Sequence, residues 1–200
     1  MALRFPIPVF PILAAGFLPA AAAAQVVAPV TRSVPVTANV PAVCSIQEPT
    51  LAAGGQINFK GINGNTLQID QLVDPATLGT AGASANVEFD AVCNYPHRIK
   101  VETQNNGLWQ TSERSPAPPP GFAYAIPYSA TVDWGLEHGR LDADAKVRRI
   151  AERSITISRP TSGEIKLRLE IEAGASNVQA NAPVLAGFYG DTLRITLEPQ

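Results

Sequence analysis

The stretch Ile165-Lys166-Leu167-Arg168-Leu169-Glu170-Ile171 alternates apolar and charged residues at every position. Successive side chains of a β-strand point to opposite faces, so this period of two predicts a strand with one buried and one solvated face. Alternation of the same kind occurs in segments 87–93, 99–102, 122–134 and 189–197. Several short alternating strands separated by turn residues predict an all-β fold of the sandwich or barrel type.

Turn-forming residues separate these segments. Segments 61–65, 105–107 and 161–163 are predicted turns, and Asn106-Gly107 suits a tight one. The Pro-rich segment 115–121 predicts an extended loop, because proline cannot donate a backbone hydrogen bond. Segment 141–153 fits either a short helix or a polar loop that leads into a strand at 154–158. The surrounding β pattern favours the loop and strand.

The first 24 residues carry the features of a cleavable signal peptide. Arg4 precedes an apolar stretch, and the alanines of 20–24 end just before Gln25. We therefore expect residues 1–24 to be removed on export, with a retained N-terminal anchor as the alternative. Four prolines make this stretch a poor membrane-spanning helix, and no other segment is long and apolar enough, so stable membrane insertion is not expected.

Charge and cysteine content narrow the class of protein. One of the 15 basic residues lies in 1–24, so 14 basic and 17 acidic residues remain, a net charge of −3 that argues against nucleic acid as a partner. The remaining length suits one domain. Its two cysteines, Cys44 and Cys93, are expected to pair in an oxidising compartment. A zinc site or a catalytic thiol is a weaker alternative, because no histidine pair lies near them.

Segment 25–40 is the most informative part of the chain. Its even-numbered positions are apolar apart from Arg32, whereas its odd-numbered positions carry polar residues and prolines. Such a segment fits an apolar groove, either as the first edge strand of its own sandwich or as a donor strand that completes a neighbouring molecule. The local pattern alone favours the first, since most strands pair within their own domain. The valines on its apolar face are Val26, Val30, Val34, Val36 and Val40.

No motif for catalysis or for cofactor binding stands out, and we predict neither enzymatic activity nor a cofactor. His97 and His138 have no ligand spacing and are expected at the surface. Paired carboxylates of the kind that hydrolyse glycosidic bonds are not singled out by any pattern.

Two further groups of residues are candidate binding sites. Asp142 and Asp144 lack the glycine and the distal glutamate of a calcium loop, so a solvated turn is expected and no metal site is predicted. Tyr124, Tyr128 and Trp134 share one strand face, which favours packing in the core over a platform that binds sugars.

Separated patches over most of the chain after residue 24 resemble the spore coat protein U domain family. Val36-Thr-Ala-Asn-Val40 followed by Cys44-Ser-Ile46 is similar to the opening of that domain, and 56–59 to its next short strand. Segment 87–93 is similar to the strand with the second cysteine. Segment 186–197 is the closest match, because it carries the Gly, Tyr, Asp, Thr pattern before an alternating last strand.

The resemblance implies a fold and a function. Members of the family include subunits of archaic chaperone–usher pili, whose immunoglobulin-like sandwich lacks its last strand. A periplasmic chaperone lends a strand first, and the N-terminal arm of the next subunit replaces it at an outer-membrane usher. Applied to this chain, the resemblance implies a donor-strand arm at 25–40 and an incomplete immunoglobulin-like β-sandwich at 41–200.

The same resemblance assigns roles to residues and partners. The implied partners are a periplasmic chaperone, an outer-membrane usher and other pilus subunits. The implied location is the cell surface, after transit through the periplasm, in a fimbrium that serves adhesion and biofilm formation. Cys44 and Cys93 become the disulfide of the domain. The implied edge of the acceptor groove consists of Tyr189, Leu193, Ile195 and Leu197.

Two other functions remain as alternatives at this stage. A self-contained secreted module that binds carbohydrate or another ligand would pair the segment 25–40 within its own sandwich. A periplasmic hydrolase would bring a nucleophile and a base together in a pocket. A tip adhesin is less expected, because it combines a binding domain with a pilin domain.

Overall fold

The computed structural model describes residues 29–111 and 119–200. The predicted signal peptide, Val26 and most of the Pro-rich segment lie outside these ranges. The chain divides into two units, Met1–Asn39 and Val40–Gln200. In the first unit, residues 29–39 have no assigned secondary structure and are exposed throughout.

The second unit is built from β-strands. The described residues contain no helix, and none of them therefore forms a helix of the length and hydrophobicity needed to cross a membrane. The strands are β1 (Cys44–Ile46), β2 (Thr50–Ile57), β3 (Phe59–Asn63), β4 (Thr66–Ile69), β5 (Ala83–Cys93), β6 (His97–Thr103), β7 (Leu108–Gln110), β8 (Ala125–Ile126), β9 (Tyr128–Trp134), β10 (Glu137–Ala143), β11 (Ala151–Ile157), β12 (Thr161–Ile171), β13 (Tyr189–Gly190) and β14 (Leu193–Pro199).

The strands form two main antiparallel sheets. The larger has the order β1-β5-β12-β9-β10, with β2 pairing to β5 farther along the same edge. The smaller has the order β11-β6-β14. The described residues also form two minor sheets, one of the order β13-β7-β8 and one consisting of the β3–β4 hairpin. The prediction of an all-β fold is confirmed, and the arrangement is consistent with a β-sandwich.

The main core lies between the inner faces of the two larger sheets. Ile165 and Leu167 of β12 are buried, as is Val132 of β9 beside them. They pack in one cluster with Ile99 and Val101 of β6 from the other sheet. The charged residues that alternate with them point to solvent, so the period of two identified these faces correctly.

The predicted disulfide is present. Cys44 and Cys93 are bonded and lie directly opposite each other in the pairing of β1 with β5. The bond closes a loop with a sequence separation of 49 residues, for which the chain-entropy estimate is a stabilisation of about 4 kcal/mol.

The segment 141–153 contains no helix. Its first residues end β10 at Ala143, a link of seven residues follows, and β11 begins at Ala151. The predicted loop and strand are confirmed, although the strand starts three residues before the predicted Ser154.

Asn106 and Gly107 lie in the bend between β6 and β7, where a turn was predicted. Two other local predictions were wrong. Segment 161–163 is not a turn, because Thr161 lies opposite Cys93 and β12 pairs along the whole length of β5. His97 is fully buried, at 0 % exposure, where its ring packs against that of Trp134 at a centroid distance of 4.8 Å.

Candidate binding groove

The last strand lies at the edge of the smaller sheet. On one side β14 pairs with β6, and on the other side it pairs with no strand of the described chain. The amide of Gln104 donates to the carbonyl of Thr192, at 2.9 Å, so the residues facing β6 are every second one from Thr192 onward. Leu193, Ile195 and Leu197 therefore direct their backbone groups to the free edge.

An apolar groove of about 690 Å³ lies beside this free edge. Leu193 and Ile195 form one rim. Part of the other comes from Ile46 at the end of β1 and from residues 47–49, which connect β1 to β2. The floor comes from the inward side chains of β5 and β12, which are Val87, Phe89, Leu167, Leu169 and Ile171.

Half-buried side chains mark where the sandwich is open. Ile165 and Leu167 of β12 are buried, but Leu169 on the same face is only half-buried. On β5, Val87 is buried and Phe89 is half-buried. The inward residues of β14 are all half-buried as well. The apolar faces of three strands thus meet at a gap in the packing.

The β3–β4 hairpin adds one apolar wall to the groove. A two-residue turn at Gly64 and Asn65 closes the hairpin, as the turn prediction for 61–65 indicated. The hairpin pairs with no other sheet in the described part of the chain, yet it turns its own apolar residues inward to the groove. These residues are Phe59, Ile62, Leu67 and Ile69.

A hydrogen-bonded carboxylate fixes the far end of the groove. One oxygen of Asp191 accepts from the amides of Asn105, at 2.9 Å, and Thr192, at 2.7 Å. The other accepts from the amide of Gly107, at 3.2 Å, and from the Tyr128 hydroxyl, at 2.9 Å. Burial of the Tyr128 hydroxyl raises its pKa above the usual value, and the negative charge of Asp191 adds a second, smaller contribution in the same direction. This carboxylate ties the start of β14 to the loop after β6 and to β9.

A second buried polar residue supports the same loop. The Asn106 side chain donates to the carboxylate of Asp144 at 2.6 Å, and the backbone amide of Asn106 donates to the Thr103 hydroxyl at 2.6 Å. Because Asn106 is fully buried, its polar groups need these partners. Asp144 also accepts from the amide of Lys146, so it is a structural residue of the turn between β10 and β11.

The valines of segment 25–40 are exposed wherever the structure describes them. Val30 and Val36 are 90 % and 93 % exposed, and Val34 and Val40 are nearly as accessible. Monomeric proteins rarely leave such a row of valines in water without a binding role.

The residues that lead from this segment into β1 are anchored. The Asn94 side chain accepts from the amide of Val43 at 2.8 Å and donates to the carbonyl of Pro41 at 2.8 Å. The chain therefore enters the second unit at a fixed point next to the disulfide.

The structure separates the four residues expected at the groove edge. Leu193 and Ile195 line the groove, whereas Leu197 packs against the main core beyond its end. Tyr189 lies in β13, which pairs with β7 in a different sheet, and its hydroxyl donates to the carbonyl of Leu185 at 2.8 Å. The expected continuous strand 189–197 is broken because the Asp191 contacts interrupt it.

The residues weighed as other sites do not converge. Tyr128 and Trp134 are the first and last residues of β9, and Tyr124 packs against Trp109 instead. Within the described ranges, no three acidic, histidine or cysteine side chains are placed to hold a metal ion. His138 is exposed, as expected.

Comparisons of this chain with protein-family models, with curated proteins and with solved structures found no match.

Proposed function

We propose that this chain is a structural subunit of a surface pilus that polymerises by strand exchange. Segment 25–40, called the arm below, fills the groove of another copy and completes an immunoglobulin-like sandwich that lacks one strand. The observation that carries the proposal is the apolar groove beside the unpaired edge of β14, in a chain that also carries an exposed alternating segment.

The groove and the free edge are costly in water for separate reasons. Apolar side chains on the floor remain partly hydrated, and the backbone groups of β14 have no protein partner. A strand inserted at this position removes both costs, because its side chains cover the floor while its backbone extends the smaller sheet. Burial of five valines contributes roughly 8–15 kcal/mol before the costs of association and ordering.

The positions of the prolines define the direction of the arm. Leu193 and Ile195 point inward and offer backbone groups at the free edge, so an antiparallel partner pairs through its own inward residues. In the arm these are the even-numbered residues, none of which is proline. A parallel arm would pair through the odd-numbered residues, where Pro29 and Pro35 have no N–H to donate. The proposed arm is therefore antiparallel to β14.

Head-to-tail strand exchange does not close on itself, so it produces a fibre. Before assembly, an exposed groove of this kind is an aggregation hazard. In the proposed pathway a periplasmic chaperone covers the groove, and an outer-membrane usher then exchanges the chaperone strand for the arm. The resulting fibre is displayed at the cell surface.

The experiment compares four forms of the chain that begins at Gln25. We expect the parent to polymerise and a form without residues 25–40 to remain unpolymerised, as measured by size-exclusion chromatography with light scattering. Val34→Asp combined with Val36→Asp should act like the deletion, because it places charges on the apolar face. The matched control, Thr31→Asp with Thr37→Asp, changes the opposite face and should polymerise like the parent.

The proposal would be contradicted if the parent stayed monomeric and if its free energy of unfolding equalled that of the form without residues 25–40.

A second candidate function is supported by the size of the groove. Its volume of about 690 Å³ is in the range of small-molecule sites, and its lining is mostly apolar with a few polar groups. A secreted module that binds an apolar ligand would keep its monomeric state and gain thermal stability on adding that ligand. Thermal unfolding of the Val34→Asp, Val36→Asp variant in the presence of a panel of apolar ligands tests this candidate.

A further inference from the structure

We propose that Arg32 in the arm of one copy pairs with Glu48 on the groove rim of the next copy, and that this ion pair sets the register of the inserted strand. The inference rests on the proposed function. The ion pair would select one of several similar alignments of the arm in the groove.

Apolar packing alone leaves the register poorly defined. The even-numbered positions of the arm are valine or alanine except for Arg32, so a shift by two residues replaces one small apolar side chain by another. Such slips keep the same face inward and cost little. One different residue in the row removes this degeneracy, and Arg32 is the only such residue.

The groove restricts where Arg32 can lie. Its floor is apolar, and a guanidinium placed there would lose hydration without gaining a partner. Two carboxylates line the groove, those of Glu48 and Asp191. Asp191 already accepts four hydrogen bonds. Glu48 is exposed and forms no ion pair within residues 29–111 and 119–200, so it is the carboxylate that can receive Arg32.

The position of Glu48 gives the register. The backbone amide of the neighbouring Gln47 donates a hydrogen bond to the carbonyl of Asp90 in β5. This contact places Glu48 at the disulfide end of the groove. On β14 that end is marked by Ile195, while Leu193 lies nearer to Tyr128 and Asp191. In the antiparallel direction, Arg32 then lies level with Ile195 and Val34 with Leu193. Val36 follows toward Tyr128, where the groove floor is apolar.

Charge reversal tests the pair in the chain that begins at Gln25. Arg32→Glu and Glu48→Arg should each slow polymerisation about fivefold or more at low ionic strength, because each brings like charges together. The double variant restores the opposite charges between copies, so its rate should return to within about twofold of the parent. Glu152→Arg, which reverses an exposed carboxylate outside the groove lining, is the matched control and should leave the rate unchanged.

The outcomes separate this inference from the proposed function. Polymerisation of the parent without rescue in the double variant overturns the Arg32–Glu48 pair alone. The same holds if Glu48→Arg slows assembly no more than Glu152→Arg does. A parent that does not polymerise overturns both the proposed function and the pair.

A cysteine crosslink measures the register directly. Residues opposite each other in an antiparallel pair are close enough for a disulfide. In fibres of the double variant Val34→Cys with Leu193→Cys, we expect a covalent ladder under oxidising conditions, whereas Val36→Cys with Leu193→Cys should give little. Val34→Cys alone is the control for exchange with the native disulfide. A ladder formed mainly by the 36–193 pair would overturn the proposed register.

Discussion

β11 and β14 flank the same strand, β6, yet they differ in how completely they are buried. The apolar inward residues of β11, which are Ala151, Ile155 and Ile157, are buried, and only Arg153 on that face is exposed. The inward residues of β14 are all apolar but remain half-buried. The difference lies in the neighbours and not in the side chains, since hydrophobicity alone does not bury a residue.

The two sides of the sandwich close differently. On the β11 side, β10 of the larger sheet comes so close that a Cβ on Gly139 would lie 2.6 Å from the Ile155 side chain. On the β14 side the corresponding position is the groove. On the closed side, contact between the two sheets buries the inward apolar side chains. On the open side, one additional strand would bury them to the same extent.

The largest expected effect comes from closing the open side within one molecule. A variant without residues 25–40 at its start, but with that segment appended after Gln200 through a short turn, places the arm antiparallel to β14. Burial of Val30, Val34 and Val36 alone contributes about 5–9 kcal/mol before ordering costs, so the melting temperature should rise by at least about 10 °C. Differential scanning calorimetry measures the shift, and an appended arm with Val34→Asp and Val36→Asp should show none of it.

Alanine substitutions compare the two sides directly. In the form without residues 25–40, which is expected to stay unpolymerised, Ile155→Ala on the closed side should lower the free energy of unfolding by about 2–4 kcal/mol, because it leaves a cavity in a filled core. Ile195→Ala on the open side should cost only about 1 kcal/mol, since the side chain is already partly hydrated. Urea unfolding measures both. In the variant with the appended arm the Ile195 cost should approach that of Ile155, and equal costs in the unpolymerised chain would contradict the comparison.

Tyr128 connects the open side to Asp191. Loss of its hydrogen bond in Tyr128→Phe should cost about 1–2 kcal/mol at neutral pH, and the loss should concentrate at the start of β14. Urea unfolding at pH 7 gives the total, and amide exchange of β14 shows whether its first residues lose protection.

The same residue gives a pH dependence with a defined sign. Burial and the Asp191 charge raise the pKa of Tyr128 in the folded state, so folding holds its proton more tightly than the unfolded chain does. Stability is therefore complete below the ordinary tyrosine pKa of about 10 and falls as the pH rises above it. Burial also raises the pKa of Tyr189 to about 12. The loss of stability that is due to Tyr189 therefore occurs between about pH 10 and pH 12. Urea unfolding between pH 8 and 11 should show a smaller decline in Tyr128→Phe than in the parent.

The smallest expected effect is on the outer face of β14. The Arg194 guanidinium lies 3.3 Å from a Glu102 carboxylate oxygen, but its side chain is 67 % exposed. Arg194→Gln should change the free energy of unfolding by less than about 0.5 kcal/mol and leave polymerisation unchanged. A large loss of either would mean that the solvated face of β14, and not its inner face, carries the interaction.

Local pattern predicted those strands whose two faces differ in environment. The alternation identified β6, β12 and, within segment 122–134, β9, because one face of each contacts the core and the other contacts water. The first part of segment 122–134 instead contains β8, which belongs to another sheet. The disulfide was also predicted, since two cysteines in a small domain most often pair wherever the compartment is oxidising.

Tertiary contacts explain most of what the pattern missed. Thr161 and Gly163 have turn propensity, but β5 continues to Cys93 and draws them into the ladder opposite it. The strand predicted at 189–197 is divided by the four hydrogen bonds of Asp191, three of whose donors come from distant segments. Whether His97 is buried or exposed depends on its tertiary neighbours, and no local signal indicated the ring of Trp134 beside it.

The groove itself could be predicted only through the family resemblance. The alternation of the last segment predicted only that Leu193 and Ile195 share an apolar face. Their place at a groove edge was implied by the resemblance, because whether a strand lies beside them depends on the complete topology. The β3–β4 hairpin and the Asn94 anchor had no sequence signal beyond turn residues and a polar side chain.

Hydrogen exchange of the β14 amides tests the missing-strand account most directly. In the unpolymerised chain, the amides of Arg194, Thr196 and Glu198 face β6 and should be protected, whereas those of Leu193, Ile195 and Leu197 should exchange fast. With the arm appended after Gln200, all six should be protected. Slow exchange of the second set in the unpolymerised chain would mean that this edge already has a partner, and the account would be wrong.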